Sequence, residues 1–276
     1  MRFPEALRAL ALACAMLAAT GCLAAAADVK NEIAARLRAQ LPSLAPGDYA
    51  LGSAAFDEGL RAGSDAPAEG AAEVLEAGRR IWARKFKNGR TLATCFPNGG
   101  RRVAGNYPQY DPRLKRIVTL EMAVNQCLKS HNEPLLDQGD PRSMGAVMAY
   151  LRSLSNGQKL AVRVPAAAEP RFEDGRRLYF TRMGQRNFAC ASCHVQGAGR
   201  RFGDQPLSPA IGQATHWPVI RAGAPITMHA RIRECLELMG AAPFPAGAEE
   251  LNRIEYFLAY LSNGLPLKAN VARPAR

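Results

Sequence analysis

The stretch Cys190-Ala191-Ser192-Cys193-His194 decides how this 276-residue chain is read. Two thiols three apart can add across the two vinyl groups of a haem while the adjacent imidazole reaches the iron, so C-x-x-C-H is a c-type haem attachment pattern. The competing readings of two close cysteines lack their companions. A structural zinc site asks for a second Cys or His pair at zinc spacing, and a thioredoxin-like dithiol asks for a βαβ pattern around it. Neither is present.

Outward from that motif the chain repeats itself. Gly78-Arg79-Arg80-Ile81-Trp82 is answered by Gly175-Arg176-Arg177-Leu178-Tyr179, and Leu154-Ser155-Asn156-Gly157 by Leu261-Ser262-Asn263-Gly264. Within this frame Cys95 falls where Cys193 falls, and Cys127-Leu128 matches Cys235-Leu236. Such self-similarity makes a duplicated domain the economical reading. The expected fold is mainly α: tandem cytochrome c-like domains over 72–158 and 171–276, the first without haem, joined by a linker over 159–170 that Pro165 and Pro170 mark. In each unit the opening G-x-x-x-aromatic pattern lets a first helix approach a last one closely. The spacing predicts last helices over 143–154 and 249–261, the second with Leu251, Ile254, Leu258 and Leu261 in one stripe. Gly264 stands where a left-handed C-terminal cap is wanted, and Pro266 stops continuation.

The first unit has lost the means to bind haem. Phe96 stands where His194 stands, and Leu92 or a neighbour replaces Cys190. Cys95 and Cys127 survive, are expected to meet across a shrunken cleft, and in an exported protein to close a structural disulfide, with a redox-active disulfide as the alternative. That leaves Cys235 unpaired in the second unit. Met228, Cys235 and Met239 are all candidates for a sixth iron ligand downstream of His194. The repeat favours Cys235, whose counterpart is also a cysteine, whereas neither methionine has a methionine opposite it. Arg231 precedes Cys235 by one helical turn, so both project from one face; a guanidinium there favours the thiolate and offers a fork of donors to a small oxyanion. His131, His216 and His229 read as surface or packing residues.

The N-terminus reads as a secretory signal over 1–27: Arg2 and Arg8 precede a run of small apolar residues ending in Ala25-Ala26-Ala27, with cleavage before Asp28. Cys14 and Cys22 leave with it. Ala19-Thr20-Gly21-Cys22 is a weak lipoprotein box, because a bulky apolar residue is usual where Ala19 stands. No later apolar run suffices for a transmembrane segment. Residues 28–71 combine a short amphipathic helix on Ile33, Leu37 and Leu41 with an arm rich in Pro, Gly, Ser and Ala, extended or loosely packed. The net charge of +12 is dispersed and accompanied by no nucleic-acid motif, so it suits an acidic partner or an anionic substrate better than nucleic acid.

Together these features resemble the SoxA family, the catalytic cytochrome subunits of SoxAX complexes in sulfur oxidation, over roughly 72–264, and the single-haem type within it. The resemblance implies one covalent haem c on Cys190 and Cys193, with His194 as proximal ligand. It implies that Cys235 is both the distal ligand and the active-site cysteine, carried as a persulfide, and that Arg231 helps to hold thiosulfate. The implied reaction is that of an L-cysteine S-thiosulfotransferase: thiosulfate is joined oxidatively to a cysteine of the SoxY subunit of the carrier SoxYZ, as an S-thiosulfonate, in the periplasm. Joining two reduced sulfurs releases two electrons and one haem iron accepts one, so a heterodimer with the cytochrome SoxX is expected. Arg200 and Arg201 add to the positive field around Arg231. The rival expectation is a plain electron-transfer cytochrome c with Met228 or Met239 on the iron and Cys235 a bystander.

Overall fold

The computed structural model describes residues 26–63, 66–203 and 205–270. Most of the expected signal, with Cys14 and Cys22, lies outside them. The first helix, α1, covers 26–40 and buries Ile33 and Leu37, two of the three residues that predicted it. The following segment is held more firmly than its composition suggested. Pro46–Phe56 winds as 3-10 turns that bury Tyr49, Ala50 and Leu51, followed by the short α2, Glu58–Ala62. This arm lies on the second unit: Thr215 Oγ1 donates to Ala50 O, and a Cβ on Gly212 would fall 2.1 Å from Tyr49 O.

Each repeat unit is built on a pair of crossed helices. In the first, α3 (Ala71–Ala83) packs on α5 (Ala146–Ser153); in the second, α6 (Glu169–Phe180) packs on α8 (Glu249–Leu261). The glycines at the two crossings leave no room for a side chain. A Cβ on Gly78 would sit 2.0 Å from Ala146 O, and one on Gly175 would sit 2.1 Å from Arg253 O. One turn further on, Trp82 and Tyr179 are buried against the same partners. In the second unit Phe172 lies among Tyr256, Phe257 and Tyr260, with ring centroids 6.3, 5.4 and 5.2 Å away. A fully buried side chain of this size contributes about 1.5–3 kcal/mol, so these crossings are the stable centres of the two halves.

Between the crossed helices each unit carries a hairpin followed by a helix that bears a cysteine. In the first, β1 (Gln109–Asp111) pairs with β2 (Arg116–Val118) and leads into α4, Leu120–Ser130, which carries Cys127. In the second, after a small hairpin β3/β4 pairing Arg201–Phe202 with Gln205–Pro206, β5 (Val219–Arg221) pairs with β6 (Ala224–Ile226) and leads into α7, Met228–Leu238, which carries Cys235. Both helices start on a threonine: Thr119 Oγ1 accepts from Met122 N, and Thr227 Oγ1 from Ala230 N. The mainly α expectation did not include these hairpins, because three-residue strands leave no alternation to detect. The fold remains mainly α.

Two boundaries moved. The expected helix over 143–154 begins instead with a π turn, Pro141–Gly145, whose first N–H groups are capped by the Asp140 carboxylate. Pro170, expected in the linker, stands in the first turn of α6, where its fixed φ and missing N–H are tolerated. The rest of that connection is not loose. Leu160, Val162 and Val164 are buried, Leu160 N donates to Leu265 O, and the Asn263 side chain bonds Val162 through both its N–H and its carbonyl.

The two units share a buried ionic joint. Arg152 of α5 and His229 of α7 meet Glu255 of α8 at 3.2 and 3.1 Å, with Glu121 of α4 buried beside them. His229 is therefore more than a packing residue. His216 is one, stacked on Trp217 and pressed against Gly52.

Candidate functional site

The C-x-x-C-H stretch follows α6 and continues as a π turn over Ser192–Gln196. Its backbone is held from two sides. Gln40 at the end of α1 donates to Gln196 O and Ala198 O, at 3.1 and 2.7 Å, and Ala210 N donates to His194 O at 2.7 Å. The imidazole is fixed in turn: His194 Nδ1 lies 2.8 Å from Ser208 O and 3.2 Å from Ser208 Oγ. Donation to a carbonyl puts the proton on Nδ1 and leaves Nε2 as the ring nitrogen with a lone pair. A further chain supports this seat: Tyr179 OH donates to Gln213 Oε1, and Gln213 Nε2 approaches Ser208 Oγ at 3.4 Å. Burial, the field of Arg231 adding to it, pushes the His194 pKa down to about 4 against the Ser208 bond, so the imidazole is neutral.

Three free thiols interact with one another near this stretch. Cys190, Cys193 and Cys235 are thiols that each keep part of their surface open. Burial pushes the Cys190 thiol up to about 12 and raises that of Cys193, and the charge of Cys235 adds to both. Helix α7 thus brings Cys235 within electrostatic reach of the motif from the far side of the sequence. Arg231, on the same face of α7, acts on Cys235 and on His194. The guanidinium of Arg231 favours the Cys235 thiolate, as its place one turn away implied, but burial outweighs it. Burial raises the thiol's pKa, Arg231 lowers it, Glu234 raises it, and the net shift is upward. Met228 and Met239, at the two ends of α7, are buried in the hydrophobic core. Arg200 and Arg201 are exposed on and beside β3.

The residues fit a c-type haem. His194 offers a neutral, oriented nitrogen, Cys190 and Cys193 have the attachment spacing, and Cys235 supplies a second soft donor.

The corresponding place in the first unit is filled. Phe96, at the position of His194, is buried and stacks on Trp82 with centroids 5.2 Å apart, and Leu92 is buried beside it. Cys95 and Cys127 form a disulfide. His131 Nε2 stands 3.6 Å from Cys95 Sγ and its Nδ1 3.1 Å from Asn88 Nδ2; with both sulfurs bonded to each other, this trio presents no thiolate to a metal. Sequence reasoning missed Ser208, Gln213 and Glu234, because a seat for an imidazole and a partner for an arginine are made by the fold and carry no spacing of their own.

The pattern described as SoxA/TsdA, cytochrome c domain, matches residues 77–160 and 174–267, one segment in each repeat. The chain belongs to the SoxA family. A relative from Chlorobaculum tepidum named L-cysteine S-thiosulfotransferase subunit SoxA is 39% identical over 204 residues, 72% of this chain and 70% of the relative. A protein of the same name from Allochromatium vinosum is 36% identical over 251 residues, 87% of each chain. Among solved structures, SoxXA from P. pantotrophus superposes with a TM-score of 0.65 at 23% identity, covering 72% of this chain and 78% of that one, a likeness of fold. Among the described residues no helix of this SoxA family member is long and apolar enough to cross a membrane.

Proposed function

We propose that this chain is the catalytic SoxA subunit of an L-cysteine S-thiosulfotransferase, conjugating thiosulfate to a cysteine of a SoxY-type carrier. What carries the reading is that Arg231 and Cys235, one turn apart on α7, lie within electrostatic reach of the C-x-x-C-H stretch, Cys235 acting on Cys190 and Cys193 and Arg231 on His194. The names of the relatives support the same chemistry.

The roles divide by chemistry. Cys190 and Cys193 would hold one haem c covalently, and His194 and Cys235 would offer it a nitrogen and a sulfur donor. That group, when bound, supplies a one-electron acceptor beside the reacting sulfur. Arg231 spends Nη1 on Glu234, and the remaining donors of its fork suit the sulfonate oxygens of thiosulfate. Cys235, as the persulfide-bearing position, presents sulfur to the substrates. Overall, the carrier thiol and thiosulfate form one sulfur–sulfur bond and lose two electrons, and the thiol proton passes to solvent. A single haem would accept only one electron, so the reading requires a partner cytochrome of SoxX type for the second. Export to the periplasm with a cleaved signal at Ala27 completes the reading. A plain electron carrier ligated through Met228 or Met239 is not favoured, because the relatives are named for sulfur transfer.

Mass spectrometry of the carrier after incubation of the haem-loaded complex with thiosulfate and an oxidised cytochrome tests this. A thiosulfate adduct on the carrier cysteine, removable by thiol reductant, is expected. Cytochrome reduction with no adduct contradicts the proposal.

A further inference from the structure

The residue next to Cys235 is acidic, an unpromising choice beside a site that takes a dianion. Glu234 lies between two guanidinium groups. Its Oε2 accepts from Arg231 Nη1 at 3.0 Å, and both of its oxygens accept from Arg221 Nη2, at 2.8 and 3.1 Å. Arg221 comes from β5 and Arg231 from the first turns of α7, so the carboxylate also ties the hairpin to the helix that bears the thiol. All three side chains are between 25% and 36% exposed, at the solvent edge of the site.

From this geometry we propose that Glu234 is a positioning and selectivity residue for the anion bound at Arg231. It acts in two separable ways. By holding Nη1 it fixes the plane of the Arg231 guanidinium, which otherwise sits at the end of a long, freely rotating side chain. By its charge it reduces the local sum of two arginines from +2 to +1. The anion therefore binds weakly enough to turn over, and the larger monoanionic thiosulfonate meets less positive charge on leaving. The inference rests on the assignment of Arg231 and Cys235 as the thiosulfate site.

Two substitutions separate reach from charge in the haem-loaded complex. Glu234→Gln removes the charge and keeps an acceptor: KM for thiosulfate is expected to fall about fivefold, with kcat falling about tenfold as Arg231 loosens. Glu234→Asp keeps the charge and shortens the reach, so kcat falls similarly while KM does not fall. Calorimetric titration with thiosulfate alone should show the tighter binding in Glu234→Gln, and the gain should shrink at high ionic strength. A merely structural role gives a different result: both variants lose activity in proportion to folded protein, with KM unchanged. That outcome, or wild-type constants in both variants, overturns the proposal. Unaltered thiosulfate affinity in Arg231→Ala removes the underlying assignment instead, and the proposal with it.

Discussion

Replacing Cys235 with alanine is expected to reduce thiosulfate conjugation by about 10³-fold or more, the scale seen when the group that bonds to substrate is removed. The haem stays attached, because Cys190 and Cys193 are untouched, and the fold should hold. Cys235 lies on a helix whose core contacts are made by Met228, Ile232, Leu236 and Met239, while the thiol itself keeps part of its surface open. Turnover with the carrier, measured beside the haem absorption spectrum, checks both halves of the statement. Conjugation at the wild-type rate would return Cys235 to a bystander and favour the electron carrier with a methionine ligand.

A second large effect is expected far from the haem motif, at the buried joint between the units. Glu255 is 2% exposed and counters Arg152 on one oxygen and His229 on the other. Glu255→Gln leaves both cations facing an amide in a dry interior, and removing one partner of such a buried set costs about 3–5 kcal/mol. Urea unfolding of the haem-loaded protein measures it. The pH dependence follows from the same contacts. Burial pushes the Glu255 carboxyl up, but His229 and Arg152 pull it below the ordinary carboxylate value. Burial pushes His229 down, but Glu255 and Glu121 hold it above its ordinary value. A depressed acid stabilises above its unfolded pKa, and its contribution is lost as pH falls through the folded value. A raised histidine stabilises below its unfolded pKa, and its contribution is lost as pH rises. Both contributions are therefore complete between about pH 4.5 and 6.5. Glu121, pushed up by burial and by Glu255, opposes them: its own contribution is complete only at lower pH and is lost as pH rises. The Glu255→Gln difference should shrink on either side of that window.

Much of this architecture is written locally. The paired Gly78/Trp82 and Gly175/Tyr179 signatures encode two close helix crossings, since only glycine allows one backbone to come so near another. The repeat also aligned Cys127 with Cys235, both on helices that follow a hairpin and a threonine cap. What escaped the sequence is what distant segments do to each other. Glu121, Arg152, His229 and Glu255 are scattered over two units, and no periodicity links them. Ser208 and Gln213 look like loop residues until the chain returns past His194. The sign of the shift at Cys235 also depends on burial: the adjacent arginine was visible, whereas the desolvation that outweighs it was not.

The central claim is that His194 and Cys235 would both bind the iron of one haem and that this sulfur does the chemistry. The electron paramagnetic resonance spectrum of the oxidised, haem-loaded protein tests it most directly. The account predicts a low-spin signal of histidine with thiolate or persulfide sulfur, lost or altered in Cys235→Ala. A histidine with methionine signal, unchanged in that variant, would contradict it.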